Sequence, residues 1–168
     1  EVEVPDVVIP EEVIPTWNVP LNGRTSGLDD NGFDVAEQPE FIEAGDSRRT
    51  KGTIEDDFMT GFTDDDFLIG KKGDDFLRGG RGDDIFRAGK GDDFILDGGG
   101  DDVIFDGKGD DFIVLGRGED VVNLGSGDNI LVGYDESEDV LKAKGGIEWM
   151  TTDQGMVGTY DNGTVSLF

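Results

Sequence analysis

The chain of 168 residues contains no cysteine and no histidine. Without thiols there is no disulfide framework and no thiol chemistry, and without thiolate or imidazole ligands the usual zinc, copper and iron-sulfur sites are excluded. Positive charge is scarce as well: 14 Lys and Arg face 40 Asp and Glu, for a formal net charge of -26. Such a field repels nucleic acid phosphates and anionic lipid, so no nucleic acid partner is expected and the natural partners are cations or basic proteins. No apolar run approaches the roughly 20 residues of a membrane span, so none is expected. The stretch EVEVPDVVIP has neither the basic segment nor the continuous apolar core of a signal peptide, and secretion is left open.

What is abundant is glycine, 28 residues, together with acid. A chain this acidic falls near the disordered class, yet 35% of it is apolar and 11 residues are Phe. Acidic and large apolar residues are interleaved, as in a fold that waits for its counter-charge. Oxygen-rich sites suit hard cations, which makes calcium the leading candidate.

Three zones differ in composition. In residues 1–20 a Val or Ile precedes proline every five residues: Val4-Pro5, Ile9-Pro10, Ile14-Pro15 and Val19-Pro20. Residues before proline avoid the helical region, so an extended arm is expected, either strap or linker. Residues 21–51 show no sustained period and read as irregular, so 1–51 form one N-terminal zone. From Gly52 to Leu141 the chain divides into ten nine-residue units, GTIEDDFMT, GFTDDDFLI, GKKGDDFLR, GGRGDDIFR, AGKGDDFIL, DGGGDDVIF, DGKGDDFIV, LGRGEDVVN, LGSGDNILV and GYDESEDVL. A repeat this regular means stacked units that bury their apolar residues against one another. Residues 142–168 hold short strand-like segments around turns, with Asp161-Asn162-Gly163 as a hairpin signal.

Within the unit, position 4 is glycine in seven consecutive repeats: Gly73, Gly82, Gly91, Gly100, Gly109, Gly118 and Gly127. Position 2 is glycine at Gly80, Gly89, Gly98, Gly107, Gly116 and Gly125. Positive φ or close backbone approach explains both columns. Position 6 is Asp57, Asp66, Asp75, Asp84, Asp93, Asp102, Asp111 and Asp120, then Asn129 and Glu138. Position 8 is always apolar, from Met59 and Leu68 to Leu131 and Val140. The unit is a six-residue turn followed by a three-residue strand whose middle side chain points inward.

The pattern resembles the RTX, or hemolysin-type, calcium-binding nonapeptide G-G-x-G-x-D-x-U-x, most clearly in units three to eight. That resemblance implies an all-β fold: a right-handed parallel β-roll with two nonapeptides per 18-residue coil, and a C-terminal antiparallel β cap. It also implies calcium between the turns of successive coils, held by position-6 carboxylates and by backbone carbonyls near the glycines of positions 2 and 4. One rim would pair Asp75 with Asp93, Asp93 with Asp111, and more weakly Asp111 with Asn129. The other would pair Asp66 with Asp84, Asp84 with Asp102, and Asp102 with Asp120, for about six ions in all. A further pair, Asp57 with Asp75, has Glu55 where its first loop should have glycine. Stacked coils lie about 4.8 Å apart, where two like charges at an effective dielectric of about 20 repel by roughly 3–4 kcal/mol. A divalent ion reverses the sign.

The position-5 acids, Asp74, Asp83, Asp92, Asp101, Asp110 and Glu119, are expected to face solvent, partly balanced by Lys and Arg at position 3. Position 7 is also outward, yet Phe58, Phe76, Phe94 and Phe112 line up there. Such a row marks a contact surface, covered by the arm, a second copy or a neighbouring domain, or else it stacks on itself.

Three functional readings follow. The first, implied by the resemblance, is a calcium-dependent folding and secretion module: the C-terminal part of a secreted, extracellular or surface-bound bacterial protein with no catalytic residues. The second makes the Phe row an adhesive or self-assembling surface. The third, a polysaccharide-cleaving β-helix, is opposed by the absence of His and by side chains already assigned to metal and core. If the arm covers the Phe row, deletion of residues 1–20 will raise hydrophobic-dye binding or change the mass in solution; unchanged values in both would remove that idea.

Overall fold

The computed structural model of the chain describes residues 40–43, 49–151 and 155–168, so the arm expected at 1–20 lies outside the described residues. Strands β1 (Glu40–Glu43), β2 (Thr50–Lys51), β3 (Asp57–Thr60), β4 (Phe67–Ile69), β5 (Phe76–Arg78), β6 (Ile85–Lys90), β7 (Phe94–Leu96), β8 (Val103–Lys108), β9 (Phe112–Val114), β10 (Val121–Leu124) and β11 (Gly127–Val132) alternate between two sheets. Odd strands stack in the order β1-β3-β5-β7-β9-β11 and even strands in the order β2-β4-β6-β8-β10. All these pairings are parallel, and within the repeats partners are 18 residues apart, as in Phe76 with Phe94 and Val103 with Val121. The nonapeptides therefore wind two to a coil into a parallel β-roll.

The winding follows from the unit. Three residues suffice for one strand, and the alternation of side chains sends position 8 inward and positions 7 and 9 outward. Met59, Leu68, Leu77, Phe86, Ile95, Ile104, Ile113, Val122 and Leu131 are fully buried and form the core between the sheets. Ala88, Leu115 and Leu124 join them from position 1. Where a turn glycine lies over the coil below, there is no room for a side chain. Gly91 has a φ of 128°, and a Cβ there would collide with the carbonyl of Gly73 in the coil below.

The outward Phe row is half-buried, whereas Ile85 and Phe105 on the opposite face are exposed. The rings of Phe58, Phe76, Phe94 and Phe112 stack with centroids 4.6, 5.2 and 5.1 Å apart. On the opposite face Arg87 lies over Phe67 and Phe105, at 5.6 and 5.4 Å from the ring centroids.

Three features depart from the sequence reading. Residues 21–51 were expected to be irregular, but β1 and β2 pair with β3 and β4 and lay a coil below the first repeat. Backbone pairing recruits these segments without any nonapeptide pattern. In the tenth unit the register slips by one: β12 (Val140–Ala143) aligns Leu141, not Val140, with the inward Val122. Val140 is 45% exposed while Leu141 packs on the core. The extra residue is absorbed in the turn around Asp135, whose carbonyl accepts from the amides of Glu138 and Asp139. The cap, finally, is mixed: β13 (Glu148–Thr151) and β14 (Met156–Tyr160) are antiparallel, but β15 (Gly163–Leu167) runs parallel to β11 as the next rung.

Substitution of Gly91 by Ala should lower stability in calcium by about 1–3 kcal/mol from backbone conformation alone. Gly99→Ala, whose Cβ would find its nearest neighbour 3.6 Å away, should melt like the parent chain. Equal melting of both variants would contradict this account of the turns.

Candidate metal centre

The position-6 side chains form two columns along the rims of the roll. In one column the backbone amides of Asp57, Asp75, Asp93 and Asp111 donate to Oδ1 of Asp75, Asp93, Asp111 and Asn129, at 2.8, 2.8, 2.9 and 2.9 Å. In the other, Asp66, Asp84 and Asp102 donate to Oδ1 of Asp84, Asp102 and Asp120 at 2.7, 2.7 and 2.9 Å. Each carboxylate thus latches the coil before it with one oxygen. The second oxygen, Oδ2 of Asp75, Asp84, Asp93, Asp102 and Asp111, is buried with no hydrogen-bond partner. A buried, unpaired carboxylate oxygen is costly, and five in register call for a common counter-charge.

The glycine columns run alongside. A Cβ on the position-4 residues Gly82, Gly91, Gly100, Gly109, Gly118 and Gly127 would meet the position-4 carbonyl group of the coil below, and on Gly73 that of Glu55. The position-2 column is packed equally closely, Gly80 on Phe62, Gly89 on Lys71, Gly98 on Gly80, Gly107 on Gly89, Gly116 on Gly98 and Gly125 on Gly107. Lys71 occupies position 2 in unit three with a φ of 92°. Carbonyl oxygens and carboxylates are therefore brought to the same turns, an all-oxygen donor set that fits a hard divalent cation.

The position-5 acids are exposed, as expected, but they also have a structural role. Oδ1 of Asp56, Asp74, Asp92 and Asp110 accepts from the amides of Asp74, Asp92, Asp110 and Asp128. Asp65, Asp83 and Asp101 do the same for Asp83, Asp101 and Glu119. This ladder points the opposite way from that of position 6. Only the stacking reveals it, because the partners are 18 residues apart.

Burial raises the carboxyls of the rims. Asp93 is pushed up to about 9, Asp102 to about 8, and Asp75, Asp84 and Asp111 to about 7. Desolvation is the main cause; the latched amides oppose it and neighbouring carboxylates add to it. Asp66 and Asp120 move in the same direction for the same reason.

At their upper ends the columns lose free carboxylate oxygens. Asn129 donates from Nδ2 to Oδ2 of Asp106 at 3.1 Å and to the Tyr160 hydroxyl at 2.8 Å, and that hydroxyl donates to the Gly127 carbonyl at 3.1 Å. One rung higher, Val165 pairs with Asn129 and is fully buried. On the other rim the slipped register places Asp139, not Glu138, above Asp120. Its Oδ1 accepts from Asp120 and its Oδ2 from the amide of Asp135. The sequence reading also passed over Asp97 and Asp106, both fully buried at position 1. Their signal was the break from glycine at that position, visible as DGGGDD and DGKGDD.

Parallel coils, glycine turns and rims of stacked carboxylates define a calcium-binding β-roll. The family described as RTX calcium-binding nonapeptide repeat (4 copies) matches residues 60–95 and again residues 96–131. The match lies wholly within the repeat array, over residues 60–131. No curated protein matches the chain. Among solved structures it is similar to the crystal structure of extracellular lipase LipA from Serratia marcescens, at 13% identity and a TM-score of 0.30, too slight a likeness to argue from. The alignment covers 76% of this chain and 40% of the lipase chain. Among the described residues no helix is long and apolar enough to cross a membrane.

The raised carboxyls fix the pH response of the chain in a chelator. The folded state holds protons more tightly than the unfolded chain, whose carboxyls titrate near 3.8. This contribution to stability is fully present below about pH 4 and is lost as pH rises through the folded-state values of about 7 to 9. Acidification of the calcium-free chain from pH 9 to 4 should therefore increase its β signal in far-ultraviolet circular dichroism; a decrease would show that the rim carboxyls are not desolvated as described.

Proposed function

We propose that this chain is a calcium-binding β-roll that folds when it meets Ca2+ outside the cell, as the C-terminal module of a secreted or surface-bound bacterial protein. The observation that carries this reading is the register of buried, unpartnered Oδ2 atoms on Asp75, Asp84, Asp93, Asp102 and Asp111. Ions lie between Asp75 and Asp93 and between Asp93 and Asp111 on one rim. On the other they lie between Asp66 and Asp84, Asp84 and Asp102, and Asp102 and Asp120. The rung of Asp111 and Asn129 fills last, because Asn129 brings no charge and its amide is engaged by Asp106 and Tyr160. The total is about six ions, with the position-2 and position-4 glycines letting backbone oxygens approach them.

Coupling of binding to folding follows from the energetics of the unit. Each nonapeptide buries one core side chain at position 8, which stabilises by roughly 1.5–3 kcal/mol, whereas ordering its backbone costs about 1–2 kcal/mol for every residue. The rim charges oppose stacking further, so the metal must provide the difference. Such a chain stays loose where calcium is scarce and folds where it reaches about millimolar levels. The array is then a structural module, without a reaction of its own.

A second reading, adhesion or self-assembly through Phe58, Phe76, Phe94 and Phe112, rests on their continuous outward stack. Calcium titration by calorimetry, read beside circular dichroism and light scattering, separates the two. Uptake of several ions with compaction of a monomer is the expected result. Calcium-driven oligomers would favour the second reading, and a chain equally folded with and without chelator would overturn the first.

A further inference from the structure

The two position-1 aspartates sit in matching places on opposite rims, yet their surroundings differ. At the glycines that hold this position elsewhere, a Cβ would run into the position-6 carboxylate of the same unit: on Gly70 it would collide with Oδ2 of Asp75, and on Gly79 with Oδ2 of Asp84. Asp97 and Asp106 therefore start their side chains where the unpaired oxygens point. Asp106 is satisfied by the protein. Its Oδ1 accepts from the backbone amides of Gly107 and Gly125 at 2.5 and 2.6 Å, and its Oδ2 from the side-chain Nδ2 of Asn129 at 3.1 Å.

Asp97 has no counterpart of the Asn129 side chain. Its Oδ1 accepts from the Gly98 amide, with the Gly116 backbone amide also against it, and its Oδ2 is buried without a partner. It faces Asp102, whose Oδ2 is also unpartnered, and Asp120, and oxygens of the three carboxylates all lie within 4.8 Å of one another. The three side chains are 0, 1 and 1% exposed. Burial, with Asp120 adding to it, pushes Asp97 up to about 7. Three buried carboxylates with two unpaired oxygens make a stronger demand for cation than the two-carboxylate rungs around them.

We infer that Asp97, Asp102 and Asp120 form a three-carboxylate cation site, distinct from the other rungs, that takes the first and most tightly held Ca2+ of the roll. Affinity of oxygen sites for Ca2+ rises with the number of charged ligands, so the third carboxylate strengthens binding by about tenfold or more. Asp97 and Asp106 thus do opposite things from equivalent positions. One adds a ligand, and the other closes a rung with hydrogen bonds. The inference rests on calcium binding between the rims.

The test is calcium titration of the full chain by calorimetry, in competition with a chelator. One ion per chain is expected to bind about tenfold or more tightly than the rest. Asp97→Gly, which restores the residue found at the equivalent Gly79, should turn that tight ion into one of the ordinary class, with the number of ions and the calcium-saturated circular dichroism kept. Asp97→Asn, which keeps the side-chain shape without its charge, should do the same. Asp93→Asn should lose an ion of the ordinary class and spare the tight one. If either Asp97 variant folds and titrates like the parent, or if the tight class disappears in Asp93→Asn instead, the three-carboxylate site is overturned while calcium binding by the roll stands. A parent chain that takes up no calcium at all would instead sink the proposed function on which it depends.

Discussion

Carboxylates that accept a backbone amide from the next coil hold this roll in register. Position 6 reaches one way along the stack and position 5 the other, so each turn is tied to both neighbours by side chains as well as by strand pairing. The arrangement has an unavoidable electrostatic consequence. Using one oxygen of Asp75, Asp84, Asp93, Asp102 and Asp111 as an acceptor stacks the charges on top of one another and leaves the second oxygen buried and unpartnered. Glycine turns and an all-oxygen lining follow from the same constraint, because only a side-chain-free backbone allows coils to approach closely enough for the amide and carboxylate to meet. What makes the stack possible thus also concentrates carboxylates along its rims.

The ends of the rims are built differently from the middle. Going up one rim the position-6 place passes from Asp111 to Asn129 to Val165, from a charge to an amide to an apolar side chain. Tyr160, whose hydroxyl is pushed up to about 12 mainly by burial and also by Asp106, remains protonated and fills the hydrogen-bonding needs of the closing rung. The other rim ends at Asp139, whose two oxygens are both occupied by backbone amides. The cap therefore ends the demand for cations by satisfying the last acceptors within the protein, while β15 extends the sheet and β14 and β13 turn it antiparallel.

Much of the roll was legible because the repeat binds three requirements to one period. Leu77, Ile95 and Ile113 recur with Asp75, Asp93 and Asp111, and both sets recur with glycines, so core and turn could be assigned from spacing and the rims from the resemblance to the RTX nonapeptide. Where one of the three requirements lapses, the reading lapsed with it. β1 and β2 have no glycine pattern, and their strand character comes from the edge that β3 and β4 offer them. In GYDESEDVL the glycine at position 4 is gone, and no count along the chain could show that the turn at Asp135 takes in one residue more and brings Asp139 and Leu141 into line.

By itself the sequence determined the repeating unit, its inward stripe, its glycine turns and an acidic position suited to a hard cation, since these are properties of nine residues repeated without interruption; the winding of two units to a coil came with the resemblance to the RTX nonapeptide. Only the tertiary structure decided which oxygens are used up and which are left over. Asp97 and Asp106 are the same residue at the same place in consecutive units, yet one meets two carboxylates and the other an amide. That difference lies in contacts between coils, Asp97 with Asp120 and Asp106 with Asn129, each 23 positions apart, and such contacts exist only once the chain is wound.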